Sequence, residues 1–338
     1  MEDRREVLAA KRWPVERITE YLRQFGTIKG VNFIPSYCYG YIEIWQNYRE
    51  QAIRRELDYA VRIGINSVRI FMSTAQWQVR REESFANLDR FLDECKARGI
   101  SVMMTLAPGT CIKKGYMMQR ENPFIINFRP NMHDASWRFE GTDREAWRDN
   151  REEIKAFGRE IMTRYKTDDR IAFWDLCNEC PEVRREMLAD LFEVGREVDP
   201  IQPLTACWEA HDISDVITFH CYRNPHNNDP TFPTADERRN FWEELDYALS
   251  FGRPALCTEC MARTIGNELE GFLPVYQEHK IGFYVWSLVE GSAQYRYPWH
   301  WPEGSPEPRR WFHSLLYPDG TPYDESEMKL IKDFHYEL

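Results

Sequence analysis

Short apolar runs separated by longer amphipathic stretches recur along almost the whole chain, the pattern that repeated βα units and a parallel sheet produce. Eight runs read as strands: 29–34, 67–72, 101–107, 172–177, 204–208, 216–221, 255–258 and 282–287. Between them the apolar positions switch to a helical period, with Ile53, Leu57, Ala60 and Val61 before Gly64, then Phe85, Leu88, Leu92 and Cys95 before Gly99. A glycine closing each run acts as a helix C-cap. Further helices are predicted over 147–165, 182–198, 236–250, 269–280 and 325–334, whereas the connection 209–215 is too short for one. Eight strands alternating with helices predict an α/β chain folded as a (β/α)8 TIM barrel.

Residues 1–27 read as an amphipathic helix and turn ahead of the first strand. Their apolar positions, Trp13, Ile18, Tyr21, Leu22 and Phe25, suit a cover over the lower mouth of the barrel. No repeat, low-complexity tract or Gly/Ser linker divides the chain, so residues 1–338 are expected to form one domain with 1–27 as an N-terminal extension. Two connections are long enough to shape a site, 108–141 after the third strand and 288–312 after the eighth. The second carries Tyr295, Tyr297, Trp299, Trp301 and Trp311, whose flat faces could stack on sugar rings or pack in the core.

Composition narrows the function classes. The 338 residues are 43% hydrophobic and 29% charged, with no unbroken apolar stretch that would span a bilayer. A net charge of −11 opposes binding to nucleic acid and does not favour an anionic membrane, which leaves a neutral small molecule or glycan as the expected partner. The N-terminus lacks the apolar core of a secretory leader, which predicts a cytoplasmic protein, although a secreted chain relieved of its leader would read the same way. Exposed aromatics after the eighth strand also leave room for a homo-oligomer.

Nine cysteines, several inside strand-like runs, predict reduced buried thiols. Two pairs nevertheless have zinc-knuckle spacing, Cys177-x-x-Cys180 and Cys257-x-x-Cys260. Both begin within predicted strands, where thiolates do not converge as they do on Gly-rich turns, so neither metal nor cofactor is expected. His211 and His300 belong to no ligand cluster.

The chemistry is expected at Glu179 and Glu259. Each closes a strand-like run, Ala172-Phe173-Trp174-Asp175-Leu176-Cys177-Asn178-Glu179 and Pro254-Ala255-Leu256-Cys257-Thr258-Glu259. The carboxyl ends of barrel strands are where catalytic groups of this fold sit. Two carboxylates facing each other there are what glycoside hydrolysis uses, one to protonate the leaving oxygen and one to attack or to activate water. Asn178 could bind a sugar 2-hydroxyl, His220-x-Tyr222 could orient Glu259, and Arg69 could do so from the interior, since a buried guanidinium needs a carboxylate. Asp175 reads as a structural acceptor, while Glu290 lines the site or faces solvent.

These residues together resemble glycoside hydrolase clan A, the retaining β-glycosidase barrels that include family 5. The features that carry the resemblance are Gly30-Val31-Asn32, Arg69 in Val68-Arg69-Ile70, Asn178-Glu179, His220-x-Tyr222, Glu259 and Trp286, in that order over the whole barrel. The resemblance implies Glu179 as acid/base and Glu259 as nucleophile, with Arg69, Asn178, His220, Tyr222 and Trp286 around them. Asn32, Trp208 and Glu290 complete the expected substrate-binding set. Two positions depart from the family: Cys180 follows Asn178-Glu179 where proline is usual, and the third strand ends Leu106-Ala107-Pro108-Gly109 without the usual histidine.

The expected function is a retaining glycoside hydrolase of β-linkages working through a covalent glycosyl-enzyme, exo-acting on oligosaccharides or small glycosides. Its rivals are an endo-acting β-glycanase of cellulase, mannanase or xylanase type, a non-catalytic carbohydrate-binding barrel, and a metal-dependent barrel hydrolase. The last would want several histidines at strand ends, where only His220 is so placed.

Overall fold

The computed structural model describes residues 2–106, 111–112, 130–133, 142–143, 147–226, 240–302 and 304–338. Eight parallel strands run in it: β1 Lys29–Asn32, β2 Ser67–Phe71, β3 Ser101–Thr105, β4 Ile171–Asp175, β5 Leu204–Thr205, β6 Ile217–His220, β7 Ala255–Cys260 and β8 Gly282–Val285. Their hydrogen-bonded order is β5-β4-β3-β2-β1-β8-β7-β6. The ends of that row meet without a ladder: Asp215 N donates to Leu204 O at 2.8 Å and Thr205 Oγ1 to Val216 O at 2.7 Å. The molecule is a nearly closed (β/α)8 barrel, and every predicted strand is present in the predicted order.

Around it lie α1 Glu2–Ala10, α2 Val15–Arg23, α3 Tyr41–Gln46, α4 Glu50–Arg62, α5 Thr74–Lys96, α6 Arg151–Arg164, α7 Arg185–Val198, α8 Phe241–Leu249, α9 Leu269–Glu278 and α10 Glu325–Asp333. Gly64 and Gly99, at φ +91° and +67°, end α4 and α5 as expected. The N-terminal extension holds two helices instead of one, and α3 was not foreseen. The predicted start of the helix at 236 and most of the connection 108–141 lie outside the described residues.

Strand alternation sorts side chains between two apolar layers. Val68 and Ile70, Val102 and Met104, and Phe283 and Val285 face the surrounding helices. Met103, Phe173, Leu256 and Tyr284 face inward and pack with Ile18 and Leu22 of α2, so this helix covers one end of the barrel. Tyr21 ties it there, its hydroxyl donating to Ala172 O at 2.8 Å. Gly30 on β1 is required by the same layer: a Cβ there would lie 2.2 Å from Tyr284 Cδ1.

One step above this apolar floor the inward positions turn polar. Asn32 follows Gly30, Arg69 follows Ser67, and Asp175 follows Phe173, each two residues further along its strand and so on the same face. All three are buried. That polar layer supports the candidate site.

Candidate active site

Arg69 is the centre of the layer. Its Nε and Nη2 donate to Asp175 Oδ2 at 2.9 and 2.7 Å, Nη1 to Asn32 Oδ1 and Glu259 Oε1 at 2.8 Å each, and Nη2 also to Asn178 Oδ1 at 2.6 Å. Five contacts match the five N–H donors of a guanidinium, so it has no donor left for a ligand. Asn32 is equally committed, with Nδ2 donating to Thr258 O at 2.9 Å. Arg69 and Asn32 are fully buried and hold Glu259 and the strands around it from below, with their donors taken up by protein groups. Asp175 is the structural acceptor anticipated, and Thr105 Oγ1 also donates to it at 2.9 Å.

Glu259 reaches this layer through a β-bulge. Leu256 points into the barrel and Cys257 out, so strict alternation would send Glu259 outward with Cys257. The pairing with β6 shifts at this point, from Phe219 opposite Cys257 to His220 opposite Glu259, and the extra residue Thr258 turns Glu259 inward. Its Oε1 then accepts from Arg69 and its Oε2 from the Tyr222 hydroxyl at 2.9 Å. Burial pushes its carboxyl pKa up, the neighbouring Glu179 adds to this, and His220 and Arg69 oppose it.

Glu179 lies beyond the end of β4 in a left-handed conformation, φ +46°, which an L-residue adopts at a cost of about 1–2 kcal/mol. Its backbone N–H donates to Cys207 Sγ at 3.1 Å, a support for which the sequence offered no signal. The Glu179 side chain is 34% exposed against 8% for Glu259, so one carboxylate reaches the mouth and the other sits at its floor.

His220 stands between them, and here the expectation changes. Its Nδ1 shares a hydrogen bond with Glu179 Oε1 at 2.9 Å and lies 3.5 Å from Glu259 Oε2, so its nearer partner is Glu179. Its Nε2 is buried and has no hydrogen-bond partner among the described residues. Burial above all lowers its pKa to about 4, so the imidazole is neutral near pH 7. One ligand atom from each of Glu179, His220 and Glu259 lies within 4.8 Å of the others. Three such atoms could ligate a metal, but the Arg69 guanidinium 2.8 Å from Glu259 already sets a fixed positive charge on one of the three, which opposes a divalent cation there.

No protein-family model matches the sequence, and no curated protein matches it. Solved structures do. The exo-β-1,4-mannosidase from Opitutaceae bacterium strain TAV5 has a TM-score of 0.58 at 18% identity, over 90% of this chain and 59% of that one. The glycoside hydrolase family 5 mannosidase from Rhizomucor miehei in complex with mannosyl-fructose has a TM-score of 0.53 at 17% identity, over 91% and 92% of the two chains. The endo-β-1,4-mannanase from Thermotoga petrophila has a TM-score of 0.57 at 14% identity, over 92% and 76%. The fold is that of the glycoside hydrolase family 5 barrels.

The remaining expected residues are spread around the mouth of the barrel. Trp286, half-buried after β8, stands edge-on to Phe71 at 5.8 Å and Tyr295 at 5.5 Å. Trp208, at φ +62°, meets His220 edge-on at 6.4 Å. Tyr222 is itself held by Trp299, edge-on at 5.0 Å, and by His313 at 5.6 Å. Glu290 does not face solvent: it is buried, with Arg296 Nη1 on one oxygen at 2.7 Å and Ser314 Oγ on the other at 2.9 Å.

Of the loop aromatics after β8, Tyr295, Tyr297 and Trp311 are buried in protein contacts, and only Trp299 and Trp301 keep partial exposure. The two long connections are joined at the rim. Asn131 N donates to Gln294 Oε1 at 2.8 Å, the Tyr297 hydroxyl to Asn131 Oδ1 at 2.9 Å, and His133 Nδ1 shares a hydrogen bond with Tyr297 O at 2.7 Å.

The cysteines depart from expectation at one place. Cys177 and Cys180 are bonded as a disulfide, with Cα atoms 6.0 Å apart. Cys257 and Cys260 remain thiols, donating to Glu259 O at 3.3 Å and Tyr284 O at 3.6 Å. Strand geometry did not foresee the first pair because the left-handed Glu179 turns the chain back between its two cysteines.

Proposed function

We propose that this protein is a retaining β-glycosidase in which Glu259 is the nucleophile and Glu179 the acid/base. The observation that carries the reading is that one carboxylate oxygen of Glu179 lies within 4.8 Å of one of Glu259, with a guanidinium and a phenol on the deeper group. Retaining enzymes hold their carboxyl groups about 5–5.5 Å apart, and inverting ones about 6.5–9.5 Å to admit a water between them. The short gap supports direct attack.

In the first step a Glu259 oxygen bonds to the anomeric carbon while Glu179 gives its proton to the departing glycosidic oxygen. Arg69 and Tyr222 hold Glu259 in place as its charge passes to the new ester. In the second step Glu179 takes a proton from water, which attacks the same carbon and releases Glu259. Asn178, half-buried between Arg69 and the mouth, is placed to bind the sugar 2-hydroxyl. Neutral His220 orients Glu179 without adding a charge of its own.

β-Mannosides are the first substrates to try, since the similar structures named above are mannosidases and a mannanase. Exo action on short oligosaccharides is the preferred mode, supported by the contacts of Asn131, from the connection after β3, with Gln294 and Tyr297, from the connection after β8. Release of nitrophenol from α- and β-linked aryl glycosides, by wild type and Glu259→Ala side by side, tests the proposal. Hydrolysis of a β-glycoside that vanishes in the variant is expected; equal hydrolysis by both would overturn it.

A further inference from the structure

The sequence places both carboxylates inside CxxC motifs, yet glycoside hydrolysis uses no thiol chemistry. The two motifs differ in the structure. Cys257 and Cys260 are separate thiols within one strand, whereas Cys177 and Cys180 close a ring around Asn178 and Glu179. Four residues of extended strand would hold the two Cα atoms roughly 10 Å apart. They lie at 6.0 Å, inside the range a disulfide spans, because Glu179 adopts φ +46° between them. The left-handed turn thus brings the two cysteines within reach of the bond that closes over it.

We infer that the Cys177–Cys180 disulfide is a positioning element for Glu179, so that protonation of a poor leaving group depends on the oxidation state of this pair. The inference rests on the acid/base role proposed above for Glu179. The left-handed residue is also held by its own N–H on Cys207 Sγ, 3.1 Å, by Asn178 on Arg69, 2.6 Å, and at its carboxylate by His220 Nδ1, 2.9 Å, a contact that follows the carboxyl wherever the turn places it only as far as the imidazole reaches. Opening the ring frees Cys180 to drift away from Cys177 and lets Glu179 relax toward ordinary strand or helix dihedrals. That swings its carboxyl away from the anomeric oxygen, while Glu259, anchored by Arg69 and Tyr222 from other strands, stays in place.

Formation of the bond removes two electrons and two protons from the two thiols. A small-molecule disulfide such as oxidised glutathione accepts them and becomes two thiols; dithiothreitol reverses the exchange and leaves as its cyclic disulfide. Both cysteines are buried, so exchange proceeds through opening of the loop and calls for prolonged incubation.

The test compares the oxidised protein, the protein reduced with dithiothreitol and the Cys180→Ser variant, with the thiols mapped by differential alkylation and mass spectrometry. Reduction should lower kcat about ten-fold or more on glycosides with poor leaving groups and by no more than about three-fold on activated nitrophenyl glycosides, which need little protonation. Oxidised glutathione should restore the reduced protein and have no effect on Cys180→Ser. An equal fall on both substrate types would show a merely structural bond and overturn the inference. So would Cys177 and Cys180 mapping as thiols that oxidised glutathione does not join. If no glycoside is turned over, the proposed function fails separately, and carbon-13 NMR titration of Glu179 still decides: a pKa that differs between the oxidised and reduced proteins supports positioning by the bond, and an identical one refutes it.

Discussion

The two carboxylates are told apart by what surrounds them. Glu259 is buried and carries Arg69 on one oxygen and Tyr222 on the other; Glu179 is the more exposed, and its carboxylate shares a hydrogen bond with neutral His220. Glu179→Ala should therefore spare activated aryl glycosides while cutting hydrolysis of natural linkages about 10²–10⁴-fold, read as the ratio of kcat/KM on the two substrates. Equal loss on both would remove Glu179 from the acid/base role. The pH profile follows from burial. A raised Glu259 pKa means that activity is lost as pH falls through a value above the ordinary 4.5, because the protonated carboxyl cannot attack. Tyr222→Phe removes a donor to the ionised form and should move that acid limb of kcat/KM further up; a limb that stays put would contradict the assignment. His220, at about 4, adds no limb near neutrality. At this scale the sequence was informative about residue types and less so about partners. Arg69 was traceable because a buried guanidinium needs a carboxylate, but that it takes Asp175, Asn32 and Asn178 as well as Glu259 depends on four strands meeting. Arg69→Met would leave Asp175 and Glu259 buried without their cation, and a loss of about 3–5 kcal/mol is expected in urea denaturation.

Among the elements, the strands were legible because a parallel strand covered on both faces is a near-continuous apolar run. What such runs conceal is register. In Ala255–Cys260 every residue is buried, so nothing in the sequence marks Thr258 as the extra residue that turns Glu259 inward. The same holds on β4, where the register with β3 shifts at Ala172. The helix α3 escaped notice for a related reason: in Tyr41–Gln46 Ile42, Glu43, Ile44 and Trp45 are all buried, which erases the helical period. Glycine was more informative. With a Cβ contact of 2.2 Å against the Tyr284 ring, Gly30→Ala should cost about 1–3 kcal/mol, measured by the same urea unfolding; an unchanged midpoint would mean that β1 and β8 have room between them.

For the molecule as a whole, the barrel is closed at one end by α2 and worked at the other by side chains from β2, β4, β6 and β7. Ile18→Ala should remove about 2–5 kcal/mol of stability by opening a cavity under Met103 and Phe173, yet leave kcat/KM unchanged below the melting transition. A matched fall in activity would show that the floor is coupled to the site. Among the described residues, no helix is long and apolar enough to cross a membrane. The barrel itself was readable from the alternation of elements, and the carboxylate pair from strand ends; the disulfide around Glu179 was not, because it depends on a backbone reversal that no residue type there announces. The central claim, attack by Glu259 with formation of a covalent sugar ester, is tested most directly by incubation with a 2-deoxy-2-fluoro-β-glycosyl fluoride of the sugar that the aryl glycoside panel selects, followed by peptide mass mapping. The expected result is one glycosyl adduct on the peptide that holds Glu259; an adduct on Glu179, or none from a protein that hydrolyses the parent glycoside, would contradict it.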